Sequence, residues 1–265
     1  MIKSFAALAA FTKPAFIRSA LAALALVVAL PAAQAQFNNT QKGEIETIIK
    51  DYLLKNPEVL RDALIELERR GKIEEANTRA KAVSDLAPKL FSSKHQVVLG
   101  NPEGKIQLVE FFDYNCGYCR RAMTDLDQLI KKNPDLRVVL KEFPVLGPPS
   151  REAAIIASAL HKQLDGKKYW EFHTRLMNNR GRIGKAQAMA AALAVGADLK
   201  RLEKDIASPD VEAGLKEVLT IADALNMTGT PSYVVGPDVV VGAVGFEKLQ
   251  ERIDNIRKCG KAACG

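Results

Sequence analysis

Two cysteines separated by two residues, Cys116 and Cys119, are the pair whose type and spacing could do chemistry. They follow a run of β-branched and aromatic residues, 106–112, that predicts a strand, and they precede residues 122–132, which predict a helix. A cysteine at the start of a helix is favoured as the thiolate, because backbone N–H groups and the helix dipole stabilise negative charge there. The spacing therefore predicts thiol–disulfide exchange, with Cys116 as the exposed nucleophile and Cys119 as the more shielded resolving thiol.

A second pair, Cys259 and Cys264, lies in a tail of small residues. Two Cys-x-x-Cys pairs would indicate zinc, but four residues separate this pair, so we predict no metal site. For the first pair, the remaining alternatives are an inert short-range disulfide and half of a zinc site. For Cys259 and Cys264 we predict a structural disulfide. A second redox relay and a copper(I) thiolate pair are the alternatives, although no methionine or histidine lies near in sequence.

Glu110 lies in the apolar strand, six residues before Cys116. A carboxylate on a central strand is costly unless it is paired or functional, and Lys141 on the next predicted strand is a possible partner. The alternative is that Glu110 lies at a solvated end of the strand. The three histidines have no acid or cysteine at ligand spacing, and we predict surface or packing roles for them: His95, His161 and His173.

Residues 1–35 have the pattern of a cleavable signal peptide. Three basic residues and no acid precede an apolar run from Ala20 to Leu30, and a small-residue cleavage site follows at 33–35. The uncharged run is shorter than the roughly 20 residues that span a bilayer. We therefore predict an exported, periplasmic protein. Its net charge of +7, partly carried by the leader, is a weak signal, and without interleaved aromatic and basic residues we predict no nucleic-acid partner.

The segment 36–94 is charged and helical in period, with no strand signal. Its first helix would present apolar residues on one face, and Asn56-Pro57 reads as the N-cap and first position of a second helix. Such narrow apolar faces need a partner. Either the helices fold back on the rest of the chain, or they form a stalk that associates with copies of itself, which we favour. Gly71 and Pro88 interrupt the stripe and argue against a long regular coiled coil.

Residues 95–258 predict an α/β domain. A strand–helix–strand unit comes first, an alanine-rich helical insertion follows at about 149–225, and two strands with a closing helix end the domain. Residues 259–265 form the tail that carries the second cysteine pair. The chain is long enough for one or two domains with a real core, so disulfides are not needed to hold it together.

The order of these elements, the Cys116-Gly-Tyr-Cys119 motif and the later Gly229-Thr230-Pro231 together resemble the DsbA family of the thioredoxin fold. The resemblance covers about 96–258, and the amino-terminal helices are similar to those of its oligomeric, isomerase-like relatives of the DsbC, DsbG, ScsC and Com1 types. It implies a thioredoxin fold with a helical insertion, preceded by a helical stalk.

The resemblance also implies roles for individual residues. Pro231 would be cis, facing the cysteines, and would present the backbone of Thr230 to an extended client in the manner of strand addition. Gly117 and Tyr118 would belong to the same client-binding site. Glu110 would assist proton transfer with the buried thiol.

The implied activity is that of a protein disulfide oxidoreductase without a cofactor. Strongly oxidising members have Pro-His between the cysteines, whereas Gly-Tyr also occurs in the isomerase DsbC, so we expect a weaker oxidant than DsbA. We expect a disulfide isomerase or reductase that is a homo-oligomer, acts on exported cysteine-containing proteins and has a membrane redox partner. A DsbA-like disulfide-donating oxidase and a non-catalytic, metal-binding copper chaperone are the alternatives.

Overall fold

The computed structural model describes residues 37–264, so the predicted signal peptide at 1–35 lies outside the described residues. The chain divides into two compact units, with the boundary between Glu66 and Leu67. The predicted helical segment 36–94 therefore spans both units. None of the helices within 37–264 is both long enough and apolar enough to cross a membrane.

The described part of the smaller unit is helical at residues 39–55 and 57–66. Helix α1, Asn39–Lys55, starts at a capping box in which Asn38 and Gln41 bond each other's backbone N–H groups. Helix α2, Pro57–Asp85, begins at the predicted proline and runs through Gly71 without interruption. A glycine inside a helix costs only about 1 kcal/mol relative to alanine, which the rest of a long helix can outweigh.

The smaller unit leaves its apolar side chains in solvent. Helix α1 buries no residue within the chain. The exposed apolar side chains of this unit are Ile45, Ile48, Ile49, Tyr52, Leu54, Val59, Leu60, Leu64 and Ile65. Within residues 37–66, these helices therefore bury no apolar core of their own.

The larger unit is built on a five-stranded sheet in the order β1-β3-β2-β4-β5. Its strands are β1 Val97–Gly100, β2 Ile106–Phe112, β3 Leu136–Glu142, β4 Ser232–Val235 and β5 Asp238–Val241. Strands β2 and β3 are parallel, and every other neighbouring pair is antiparallel. Because helix α4, Gly117–Lys132, crosses from β2 to β3, these three elements form the predicted βαβ unit.

Both faces of the sheet are buried. One face packs against α4, α10 (Phe246–Cys259) and the helical insertion. The other face packs against α3, Ala87–Phe91, and α9, Pro209–Ala224, together with Val83 near the end of α2. Strand β2 lies in the middle of the sheet, and Cys116 and Cys119 follow its carboxyl end.

The helical insertion lies between β3 and β4. It consists of α5 Pro148–Leu160, α6 Gly166–Met177, α7 Lys185–Ala194, α8 Leu199–Ile206 and the helix α9 given above. Helix α5 packs against α7, α8 and α9 through small side chains such as Ala153 and Ala157, which allow the helices to approach closely. This matches the predicted alanine-rich insertion, and its loops reach the active site.

Candidate active site

The two cysteines lie where the central strand turns into a helix. Strand β2 ends at Phe112, and Cys116 is the N-cap of α4, so Cys119 falls in the first turn of the helix. The backbone N–H of Cys119 donates a hydrogen bond to the sulfur of Cys116 at 3.4 Å. The sulfur of Cys116 thus takes the position in which a helix N-terminus stabilises an anion.

Cys116 also faces the loop before β4. Its thiol donates a hydrogen bond to the carbonyl oxygen of Thr230 at 3.2 Å, and the Thr230–Pro231 peptide bond is cis. Only 6% of Cys116 is exposed, compared with 1% of Cys119. The expectation of an openly exposed nucleophile was therefore wrong, because the Thr230 carbonyl covers one side of the sulfur.

The two thiols have opposite acidities. The pKa of Cys116 is lowered to about 5, first by the hydrogen bond from the Cys119 thiol and then by hydrogen bonds from the Thr230 side chain and from the backbone N–H groups of Cys119 and Tyr118, which together outweigh its burial. The pKa of Cys119 is raised, because its thiol donates to Cys116 and is itself buried, with Glu110 adding negative charge nearby. At neutral pH the pair therefore holds one thiolate, on Cys116, and one protonated thiol, on Cys119.

Glu110 lies in the interior on strand β2 and is only 3% exposed. The alternative that places it at a solvated end of the strand is therefore excluded. Burial raises its pKa to about 8, and a hydrogen bond with Tyr233 opposes that rise. Tyr233 faces Glu110 directly across the β2–β4 pair. Sequence reasoning missed Tyr233, although its position two residues after Pro231 on a predicted strand was a usable signal.

Lys141 is not the partner of Glu110. In the parallel pairing of β2 and β3, Glu110 lies opposite Leu140, and Lys141 lies opposite Phe111. Because successive side chains point to opposite faces, Lys141 and Glu110 lie on different faces of the sheet. Lys141 instead donates to the carbonyl oxygen of Lys89 at 2.6 Å and lies 3.8 Å from Glu217.

Asn115, the residue before the nucleophile, binds the helical insertion. The side-chain oxygen of Asn115 accepts a hydrogen bond from the backbone N–H of Ile183 at 2.8 Å. The side-chain nitrogen donates to the backbone carbonyl of Ile183 at 2.8 Å and to the hydroxyl of Ser150 at 3.0 Å. On the other side of the cysteines, Arg120 donates to the carbonyl of Met177 at 2.6 Å. Four hydrogen bonds thus join the active-site turn to the insertion.

A buried polar cluster supports the same turn. The hydroxyls of Tyr114 and Tyr169 donate to one oxygen of Glu142 at 3.3 and 2.9 Å. Burial raises the pKa of Glu142 well above the usual value of a carboxyl group. His173 packs among aromatic rings beside this cluster, and burial lowers its pKa to about 3, so it is a neutral packing residue.

The rim of the site is a mixture of apolar and basic side chains. Tyr118 is 60% exposed, and the guanidinium group of Arg121 lies 4.5 Å from the centre of its ring. Val145 and Leu146 are also exposed, and the N–H of Leu146 donates to the buried carboxylate of Asp113 at 2.9 Å. Gly117 is exposed, with open space where a side chain would begin.

The second pair of cysteines lies away from this site, after α10. The sulfurs of Cys259 and Cys264 are joined in a disulfide with a Cα–Cα distance of 6.1 Å. The carbonyl of Ala262 accepts a hydrogen bond from Asn255, which holds the tail against the last turns of the helix. Cys116 and Cys119 are free thiols.

Comparison with known families agrees with this geometry. Residues 107–254 match the family described as DSBA-like thioredoxin domain. The chain belongs to this family. The matched residues include both cysteines, the Thr230-Pro231 loop and the helical insertion. Residues 41–72 match a separate family, the copper resistance protein ScsC N-terminal domain.

Solved structures of similar proteins support the same assignment. A thioredoxin-like oxidoreductase from Silicibacter pomeroyi is 40% identical, covering 65% of this chain and 98% of its own, with a TM-score of 0.61. ScsC from Proteus mirabilis, in a transitional conformation, is 27% identical, covering 84% of this chain and 98% of its own, with a TM-score of 0.60. The likeness to ScsC therefore extends over part of the amino-terminal helices as well as the DSBA-like domain.

Curated relatives are more distant. Disulfide bond formation protein D of Bacillus subtilis is 22% identical, and the match covers 67% of this chain and 84% of that protein. An Na(+)/H(+) antiporter NhaA 1 of Salinispora arenicola is 26% identical over 59% of this chain, but this chain spans only 24% of the antiporter's length. The family match and the ScsC structure agree in placing this chain among the DSBA-like thioredoxin domains.

Proposed function

We propose that this protein is an exported disulfide isomerase and reductase that acts on cysteine-containing proteins of the periplasm. The observation that carries the proposal is the division of acidity between the two thiols: the pKa of Cys116 is about 5, whereas that of Cys119 is raised. A thiolate that forms at neutral pH beside a protonated thiol is the arrangement that starts and then completes disulfide exchange.

In the proposed reaction, the Cys116 thiolate attacks one sulfur of a client disulfide. A Cys116–client disulfide forms, and the other client sulfur leaves as a thiolate that takes up a proton. In isomerisation, a client thiolate then attacks a different client disulfide, which forms a new client disulfide and frees one client sulfur as a thiolate. A client thiolate finally attacks the client sulfur of the Cys116–client disulfide, which forms a client disulfide and releases the Cys116 thiolate. In reduction, Cys119 loses its proton and attacks the sulfur of Cys116, which releases the reduced client and leaves the Cys116–Cys119 disulfide.

Glu110 is proposed to relay the proton that Cys119 must lose. It is the buried titratable group that raises the pKa of Cys119 electrostatically, and its own pKa of about 8 allows it to exchange a proton near neutral pH. Tyr233 keeps the carboxyl group hydrogen-bonded in an otherwise apolar layer. Thr230 and Pro231 are proposed to align the client backbone beside Cys116, with Gly117 and Tyr118 bordering the same surface.

Self-association through residues 36–94 is proposed to favour isomerisation over oxidation. The smaller unit exposes a continuous set of apolar side chains, and the match of 41–72 to the ScsC N-terminal domain supports an oligomer. Several active sites held together can act repeatedly on one client, which increases the effective concentration of thiolates around it. The same assembly would limit access by a membrane oxidase that acts on monomeric relatives.

A second candidate is a DsbA-like oxidase that donates its disulfide. The low pKa of Cys116 favours it, because stabilising the thiolate stabilises the reduced enzyme and makes its disulfide a stronger oxidant. A third candidate, a metal-binding copper chaperone, is supported by the name of the matched amino-terminal family alone. Metal analysis of purified protein, with and without alkylated thiols, would test it.

The deciding experiment compares two rates on one substrate: reactivation of a protein with scrambled disulfides and oxidation of the same protein when reduced. We expect fast reactivation that is abolished by Cys116→Ser and falls when residues 36–66 are deleted. This deletion is preferable to a longer one because Val83 and Leu90 belong to the core of the larger unit. Fast oxidation with negligible reactivation would reject the isomerase and support the oxidase.

A further inference from the structure

Three exposed arginines lie in segments that are attached to the active-site turn: Arg121 in α4, and Arg180 and Arg182 in the loop between α6 and α7. None of them takes part in the ion pairs found among residues 37–264. Elsewhere on the surface, arginines such as Arg151, Arg175 and Arg257 do pair with carboxylates. We call Arg121, Arg180 and Arg182 the arginine rim.

Two tethers fix the loop that carries Arg180 and Arg182. This loop joins α6 to α7, and at its start the carbonyl of Met177 accepts from Arg120 in the first turn of α4. At its end, Ile183 exchanges two hydrogen bonds with the side chain of Asn115. Since Asn115 precedes Cys116 and Arg182 precedes Ile183 in the chain, the backbone of Arg182 lies close to the nucleophile's turn.

The third arginine, Arg121, is held by a ring contact on helix α4 instead of by the loop. Arg121 lies on the exposed side of α4, and its guanidinium group stacks on Tyr118, between the two cysteines. Stacking on the ring leaves the N–H groups of Arg121 directed away from the ring face and available to an acceptor. Asp113 is buried and accepts backbone N–H groups, so its carboxylate does not face the rim, and Glu152 lines the same surface pocket as Arg182 without forming an ion pair with it among the described residues.

We propose that the arginine rim selects client segments with aspartate or glutamate beside the cysteine. This inference rests on the proposed exchange activity and adds its substrate class. A client held in mixed disulfide with Cys116 must lay its flanking residues across this rim, where carboxylates would meet unpaired guanidinium groups in bidentate geometry. The exposed apolar pair Val145 and Leu146 supplies the remaining, unspecific part of the surface.

The test uses three peptides of equal length with one cysteine, flanked by glutamates, glutamines or lysines. Oxidised full-length protein reacts with each peptide thiol, which attacks the sulfur of Cys116, forms the mixed disulfide and displaces Cys119 as a thiol. Rates are measured by acid quench and mass spectrometry at about 20 mM and about 500 mM salt, which bracket strong and weak screening. Variant and wild-type rates are compared peptide by peptide, so that the intrinsic reactivity of each thiol cancels.

For the double variant Arg180→Glu, Arg182→Glu at low salt, we expect the glutamate peptide to slow by about tenfold and the lysine peptide to accelerate, as electrostatic steering predicts. The glutamine peptide should change less than about twofold, and high salt should remove most of the difference. The matched control, Lys258→Glu with Lys261→Glu, makes the same change in net charge at the carboxyl-terminal tail and should leave all three rates within about twofold.

Equal slowing of all three peptides, or the same selectivity change in the tail control, would overturn the proposal that the arginine rim selects acidic client segments. If wild-type protein reacts with none of the peptides, the proposed function fails instead, so the two failures are distinguishable. The variant Arg180→Lys, Arg182→Lys keeps both charges but lacks the bidentate fork, so it should retain part of the preference for the glutamate peptide, and complete loss of that preference would overturn charge pairing as its cause. Reaction of every variant with neutral dithiothreitol reports an intact Cys116–Cys119 disulfide.

Discussion

The side chain of Asn115 hydrogen-bonds both backbone groups of Ile183, each at 2.8 Å, although 68 residues separate them in sequence. A primary amide that pairs with an N–H and a C=O of one residue imitates the pairing between two strands. The result is that the turn preceding the nucleophile and the loop between α6 and α7 form one rigid connection. The helical insertion thereby becomes part of the active site rather than an appendage.

Replacing Asn115 with alanine should destabilise the protein by about 1 to 3 kcal/mol, because the backbone groups of Ile183 and the Ser150 hydroxyl lose their partner in a partly buried site. The measurement is urea unfolding of the disulfide form. Asn77→Ala, at an exposed position of α2, is the control and should be close to neutral. An Asn115→Ala protein as stable as the control would show that water replaces the lost hydrogen bonds.

Cys119→Ala should raise the pKa of Cys116, whereas Cys119→Ser should raise it less. The hydrogen bond from Cys119 is the largest cause of the low pKa of about 5, and serine keeps a donor that alanine lacks. The pH dependence of Cys116 alkylation by iodoacetamide gives the midpoint in each variant. Midpoints in both variants equal to that of wild type would mean that the helix N-terminus, not the neighbouring thiol, stabilises the thiolate.

Glu110→Gln should become increasingly stable relative to wild type as the pH rises from about 4.5 to about 8. Below this range, the carboxyl group is protonated in both the folded and unfolded states. Within it, the group ionises only in the unfolded chain, because burial raises its folded pKa from 4.5 to about 8, and unfolding is favoured.

At pH 8 the accumulated difference in unfolding free energy should be about 3 to 5 kcal/mol, at 1.36 kcal/mol per pKa unit. It is measured by denaturant unfolding of both proteins at a series of pH values, with Glu203→Gln on the exposed side of α8 as control. A constant difference across the range would place the folded pKa of Glu110 near its ordinary value.

In exchange kinetics, the same variant should alter the pH profile of the step in which Cys119 loses its proton, and an unchanged profile would remove Glu110 from the proposed reaction.

The strand–turn–helix placement of the cysteines could be read from the sequence, because periodicity and turn residues around 106–132 are local signals. The partner of Glu110 could not be found by proximity of strands alone. A shift of one residue in the β2–β3 register moves every side chain to the other face of the sheet. In the observed register, Glu110 is paired with Leu140, so Lys141 lies on the opposite face from Glu110. The register is set by packing on both faces of the sheet, which no single strand encodes.

Asn115 and the Glu142 cluster were missed for a different reason. Their partners lie in the helical insertion, and pairing between residues 115 and 183, or 142 and 169, has no sequence period. The family resemblance directed attention to the cysteines, Thr230 and Pro231, but it contained no information about how this insertion holds the turn. Gly71 shows that a local signal can also be outweighed: glycine weakens a helix, yet the 29-residue helix α2 continues through it.

The exposed leucines of α2 provide the test of self-association. Leu60 and Leu64, 49% and 65% exposed, are four residues apart and therefore share one side of the helix. In an oligomer these side chains would be buried, and each buried leucine contributes about 1.5 to 3 kcal/mol. Leu60→Glu combined with Leu64→Glu should dissociate the assembly, because it would also bring like charges together at the interface.

The molar mass from sedimentation equilibrium should fall to that of a single chain in this double variant, and reactivation of scrambled substrate should fall with it. Asn77→Glu with Thr78→Glu adds the same charge at exposed polar positions of the same helix and should keep the wild-type mass. Reaction of Cys116 with iodoacetamide should be unaffected in both, because each active site is complete within one chain. A wild-type protein that already sediments as a single chain would contradict the proposed stalk and leave the oxidase as the better account of the active site.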